Sequence, residues 1–201
     1  MSLRVIAAFA LCLLSSVIAS AVEPDEQLDE LLTHIQTLEA SVVQTSAIES
    51  NKNGVLLLKK PNRLKLHINS PVVDEQFLVA DGEMFYAYHV DFEQVVIQPL
   101  EDSPLVSIIA GLPMGNNFIV TVKRLKAGYR EFILQSKAYE ADLPSAKLLF
   151  NKLGKLRRLS FVDPFGGLVD VNFSKIKLNK PLSDELFHFQ IPEGVDDIIG
   201  L

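Results

Sequence analysis

The spacing of apolar residues changes period near residue 40, and that change fixes the class of fold open to this chain. Before it, Leu28, Leu31, Leu32, Ile35 and Leu38 recur at three and four residues, the spacing of one helical face. Pro24 and the acids Glu23, Asp25, Glu26, Asp29 and Glu30 open this segment, and acids suit the positive end of a helix dipole. From Ser41 onward the period becomes two. Strands are expected near 42–48, 54–60, 63–69, 75–80, 83–89 and 93–99, then near 117–124, 129–136, 146–151, 156–162, 168–174 and 186–190. Turn signals separate them: "NKNG" (51–54), "KPN" (60–62), "SP" (70–71), "DG" (81–82) and "DPFGG" (163–167). Between the two groups, "SPLVSIIAG" (103–111) reads as a short apolar helix, with Pro104 in its first turn and Gly111 as its stop. The expectation is a mainly β fold: about eleven strands in one curved antiparallel sheet that closes on itself or is capped by two helices.

The first 21 residues stand apart. Arg4, the apolar stretch "VIAAFALCLL" and the small residues Ala19, Ser20 and Ala21 read as a secretory signal cleaved after Ala21. Residues 22–201 then form a single domain. Cys12 is the only cysteine, so the expected mature chain has no thiolate or disulfide chemistry. A net charge of −6 and a pI near 5.2 argue against a nucleic-acid partner.

No nucleophile elbow, phosphate-binding loop, zinc-protease helix or dinucleotide fingerprint occurs. His89, Asp91 and Glu93 alternate in "YHVDFE", a spacing a metal could use, but a polar turn between two strands explains them better. Asp196 and Asp197 read as a solvated tail. No catalytic set, cofactor or metal is expected, and the chain does not read as an enzyme.

One junction is odd. In "GVLLLKKPNRLKLHI" (54–68) an unbroken apolar run ends at two lysines and a proline. A strand apolar on both faces needs two apolar surroundings, one inside the curved sheet and one outside or at a covering helix.

"KKPNRLKLH", "LVADGEMFYAYHVDFEQVVIQPL" and "SPLVSIIAG", followed by "DPFGGLVDVNFSKIKLNKPL" and "FHFQIPEGVDDI", together resemble the LolA family of periplasmic outer-membrane lipoprotein carriers. The matching positions include Pro61, Asn62, Asp81, Gly82, Tyr88, Asp91, Glu93, Gln94, Val95 and Pro104. The resemblance implies a single open, unclosed antiparallel β-barrel with an α-helical lid. It implies a monomeric periplasmic carrier that takes acylated lipoproteins from an inner-membrane ABC transporter and delivers them to an outer-membrane receptor. It also implies a lid latch at Lys60, where the family carries arginine; lysine lacks arginine's planar fork, so a looser latch is expected. Lys59, on the opposite face, is expected to meet only water.

The acyl-chain lining expected on this reading is Leu56, Leu58, Leu64, Leu66, Phe77, Val79, Val95, Ile97, Leu105, Ile108 and Ile109. Alternation does not separate a lined cavity from a filled core, so both readings stay open for these residues. Phe165, in the late hairpin, is the expected exposed partner contact. Two other functions fit the same fold. An outer-membrane receptor would need an acylated cysteine at its mature N-terminus, and Cys12 is poorly placed for that. A lipoprotein-sensing regulatory domain would usually carry a further domain or span.

Overall fold

The computed structural model describes residues 22–46, 51–69, 75–100, 114–138, 143–162 and 167–199. Helix α1 (Pro24–Thr33) begins with Pro24 in its first turn and Asp25 and Glu26 beside it, and it buries Leu28 and Leu32. It is shorter than the apolar spacing suggests. The chain turns at His34–Gln36, and Leu38 belongs to strand β1 (Thr37–Ser46), which starts five residues earlier than expected.

The strands continue as β2 (Lys52–Lys59), β3 (Arg63–Asn69), β4 (Gln76–Asp81), β5 (Met84–His89) and β6 (Gln94–Pro99). After a 3₁₀ turn (Met114–Asn116) come β7 (Phe118–Arg124), β8 (Arg130–Ser136), β9 (Ser145–Phe150), β10 (Leu156–Val162) and β11 (Leu168–Leu178). The expected last strand at 186–190 is instead a 3₁₀ turn (Asp184–Phe187) and extended chain; the last strand is β12 (Asp196–Ile199). Asp196 and Asp197 are therefore in a strand and not in a loose tail.

Among the described residues, twelve strands form one open sheet in the order β12-β6-β5-β4-β3-β2-β1-β11-β10-β9-β8-β7. Pairing is antiparallel throughout except β12, which runs parallel to β6. Directly paired residues share a face, so the ladder defines which side chains meet. One lateral row is Leu38, Leu58, Leu64, Ala80, Phe85 and Gln98; the next is Ala40, Leu56, Leu66, Leu78, Ala87 and Val96. These rows make the inner face, where Leu28, Leu32 and Ile35 join the main core. On β11 an extra residue near Lys175 (φ 49°) bulges outward, which lets Phe173 and Ile176, three apart, both pack on that core. Gly54 lies on the inner face where a Cβ would stand 2.4 Å from the His67 carbonyl oxygen, so only glycine fits the close approach of β2 and β3.

The outer face of β3–β6 is also covered. Beyond β11 the chain crosses it as a strap: Phe187 is buried over β3 and β4, and Phe189 lies 5.4 Å from Tyr86 and 5.8 Å from Tyr88, ring to ring. The strap ends in β12 on the far edge of the sheet. Val79 and Val95 are fully buried beneath this cover, outside the main core.

Candidate functional site

The site is the corner where β2 turns into β3. Lys59 ends β2, and the turn Lys60–Asn62 follows, with a cis Lys60–Pro61 bond and Asn62 at φ 59°. Alternation sends the two lysines to opposite faces.

Lys60 reaches inward. Its Nζ donates to the Leu32 carbonyl oxygen at 2.6 Å, a carbonyl in the last turn of α1, where a cation suits the negative end of the helix. Its backbone N–H donates to the Gln36 carbonyl at 2.9 Å. Burial pushes the Lys60 ammonium below the usual lysine value, against the opposing charge of Asp29. The middle of the helix is tied by Asp29, whose Oδ1 accepts the Met114 N–H at 3.2 Å. Helix α1 is thus tied at its middle and in its last turn, with Leu28 and Leu32 in the core of the inner face.

Lys59 reaches outward, but not to water. Its Nζ donates to the Leu182 carbonyl at 2.7 Å and lies 2.6 Å from Asp184 Oδ1, while Arg63 Nε sits 3.7 Å from the same oxygen. The hydrogen bond from Lys59 is the main reason the Asp184 carboxyl falls below the usual carboxylate range. The expectation that Lys59 meets only solvent is therefore corrected: it holds the strap.

The root of the strap and the hinge of the lid are one hydrogen-bonded unit. Asn179, at φ 55°, accepts the N–H groups of Gln36 (2.9 Å) and Thr37 (3.3 Å) on Oδ1 and donates through Nδ2 to the His34 carbonyl (3.0 Å). Thr37 Oγ1 donates to the Lys180 carbonyl at 2.6 Å. Sequence reasoning did not assign Asn179, Leu182 or Asp184. An asparagine directly after a strand is a turn signal for Asn179, whereas nothing periodic marks the other two.

The expected lining residues separate into two sets. Leu56, Leu58, Leu64 and Leu66 are together on the inner face, facing the lid. Phe77, Val79, Val95 and Ile97 are on the outer face, because Phe77 pairs with Tyr88 and so with Val95, and Val79 pairs with Tyr86 and so with Ile97. These four pack under the strap and do not share a wall with the leucines. Leu105, Ile108, Ile109 and Phe165 lie outside the described residues, as do the expected helix at 103–111 and the "DPFG" part of the late hairpin. His89 ends β5, with Asp91 and Glu93 in the following turn (90–93).

Two hollows flank the site. One of about 600 Å³ opens beside the end of α1, where Leu31, Ile35, Leu153 and Leu178 meet Arg130 and Lys152. The other, about 370 Å³ and polar, lies between the β2–β3 and β4–β5 turns, lined by Asn62, Arg63, Asp81, Glu83 and His188. Among the described residues no helix is long and apolar enough to cross a membrane.

Comparison with known proteins bears directly on this arrangement. The model of the family described as outer membrane lipoprotein carrier protein LolA matches residues 33–190. An outer-membrane lipoprotein carrier protein of Azotobacter vinelandii is 31% identical over 203 residues, covering 92% of this chain and 96% of its own. One from Legionella pneumophila is 31% identical over 180 residues, covering 85% and 87%. Among solved structures, an uncharacterized conserved protein from Thermus thermophilus shares the fold with a TM-score of 0.54 at 15% identity, over 87% of this chain and 99% of that one.

Proposed function

The chain belongs to the LolA family of outer membrane lipoprotein carrier proteins, and from that membership we propose that it shields the acyl chains of lipoproteins while they cross the periplasm. It is a carrier and not an enzyme. On this reading residues 1–21 are a cleaved export signal, residues 22–201 are the carrier domain, an inner-membrane ABC transporter loads it, and an outer-membrane receptor unloads it.

The observation that supports the reading most is the lid. Each methylene kept from water is worth about 0.8 kcal/mol, so acyl chains do not cross an aqueous space unaided. A carrier needs an apolar concave face with a cover that lifts. Here α1 shares one core with Leu56, Leu58, Leu64 and Leu66, and the Lys60 ammonium binds the last turn of the helix. When α1 lifts, those leucines exchange helix side chains for acyl chains. In the closed state they are core, and in the open state they are lining, so the two readings of their alternation are two states of one surface.

The test is direct. Purified residues 22–201 are mixed with membrane vesicles holding a radiolabelled triacylated lipoprotein and the transporter, with ATP. The reading predicts label in a soluble complex with the protein. Label that stays with the vesicles contradicts it.

A further inference from the structure

The inner face is not uniformly apolar. In the two rows nearest the lid latch, Gln98 at the β6 edge is the one polar side chain from β1 to β6. The third row reads Val42, Gly54, Ile68, Gln76, His89 and Gln94, so three consecutive strands (β4, β5 and β6) place an amide, an imidazole and an amide side by side. One step further along β1 and β2, Gln44 pairs with Lys52, which is only 5% exposed. The face therefore grades along the strands from apolar at the Lys60 end to polar at the opposite end.

His89 carries a second anomaly. Its Nδ1 is buried and has no hydrogen-bond partner among the described residues. A buried polar atom left unpaired is costly and uncommon, and one on a ligand-facing surface is a place where a ligand's polar group restores the missing bond. Resting on the carrier reading above, we propose that Gln76, His89 and Gln94 form a head-group subsite: they bind the ester and amide groups of a diacylglyceryl-cysteine, with the acyl chains running along the apolar rows toward Lys60. The chemistry matches. The glutamine amides donate to ester carbonyls, and the imidazole donates or accepts according to its tautomer. The opposite orientation would press the ester and amide groups against Leu56, Leu58 and Leu64, whose rows offer one polar side chain, Gln98, three strands beyond Leu64.

Two probes separate head from chain: a synthetic diacylglyceryl-cysteine lipopeptide, and diphenylhexatriene, a fluorescent hydrocarbon with no head. Affinity for each is measured on residues 22–201 and on the triple variant Gln76→Leu, His89→Leu, Gln94→Leu, with thermal melting to confirm folding. The expected result is a loss of about tenfold or more for the lipopeptide and unchanged or tighter binding of the hydrocarbon, with His89→Gln alone retaining most lipopeptide affinity. Equal losses for both probes, or no loss for either, overturn the subsite while leaving the carrier reading intact. Should the triple variant not fold, Gln94→Leu alone takes its place, with a threefold lipopeptide-specific loss expected and an unchanged ratio of the two affinities overturning the proposal. If the unmodified protein binds neither probe, the carrier reading itself falls.

Discussion

Lys59 and Lys60 are neighbours in sequence that hold opposite covers of one sheet. Lys60 binds the Leu32 carbonyl of the lid on the inner face, and Lys59 binds Leu182 and Asp184 of the strap on the outer face. The lid's hinge and the strap's root are joined again at Asn179. Lifting one cover therefore disturbs bonds that hold the other.

The first consequence concerns the latch. Replacing Lys60 by leucine leaves the Leu32 carbonyl without this donor and removes a charge-assisted bond worth on the order of 1–2 kcal/mol, or roughly tenfold in lid opening. Hydrogen exchange across residues 27–35 should quicken by about that factor, with the β10 amides unchanged. Lys60→Arg, which adds a planar fork, should slow the same exchange.

The pH dependence of the lid follows from the buried ammonium. Burial lowers the Lys60 pKa in the closed form, and lifting α1 returns the group to water and raises it again. Between the two values the closed form binds fewer protons, so rising pH favours closure. Side-chain amine NMR should show Lys60 titrating below the usual lysine value, and protection factors at α1 should rise on going alkaline through that window. Lys60→Arg should abolish the dependence.

The strap responds at the other end of the scale. Because the folded-state pKa of Asp184 is lowered, its contribution is present above the unfolded carboxylate value, about 3.9, and is lost as pH falls through the folded value. The contact therefore persists at neutral pH and releases below the ordinary carboxylate value. Asp184→Asn should lower the exchange protection factors of residues 182–190 at pH 7 to those the native protein shows in acid, and salt at about 0.5 M should do part of the same.

Asn179→Ala removes three hydrogen bonds at the hinge and places alanine in a left-handed conformation. A loss of about 2–3 kcal/mol in global stability is expected from denaturant melts. Both α1 and the strap should exchange faster in this one variant.

Gly54→Ala drives a methyl into the His67 carbonyl and between Ile68 and Val42. It should cost about 1–3 kcal/mol by strand displacement, read as a lower denaturation midpoint at an unchanged slope.

Much of this was legible in the residues. Leu28 and Leu32 marked the lid, and Gly82, Pro61 and Asn62 marked real turns. The apolar run at Val55–Leu58 pointed to two covered faces, but β2 has one: Leu56 and Leu58 are buried on the inner face, while Val55 on the outer face is 47% exposed, and the strap covers β3–β6 instead. The face assignment was not legible. Val79 and Val95 look like cavity wall because alternation reports burial, not which side is buried, and the strap buries the outer side too. The strap itself was read as one more strand: Phe187, Phe189 and Ile191 alternate, but that period does not show that they cross the outer face, and the anchor pairs Lys59 with Asp184, 125 positions further along the chain. Leu38 continues the helical spacing yet sits on β1, since the turn at His34–Gln36 resets the chain direction while preserving the inward face.

The central claim is transport, and depletion in the native host tests it most directly. After the protein is depleted, newly made lipoproteins are labelled and the two membranes are separated. The account predicts outer-membrane lipoproteins held back in the inner membrane, with recovery on expressing the native chain. Lipoproteins reaching the outer membrane at an undiminished rate would contradict it.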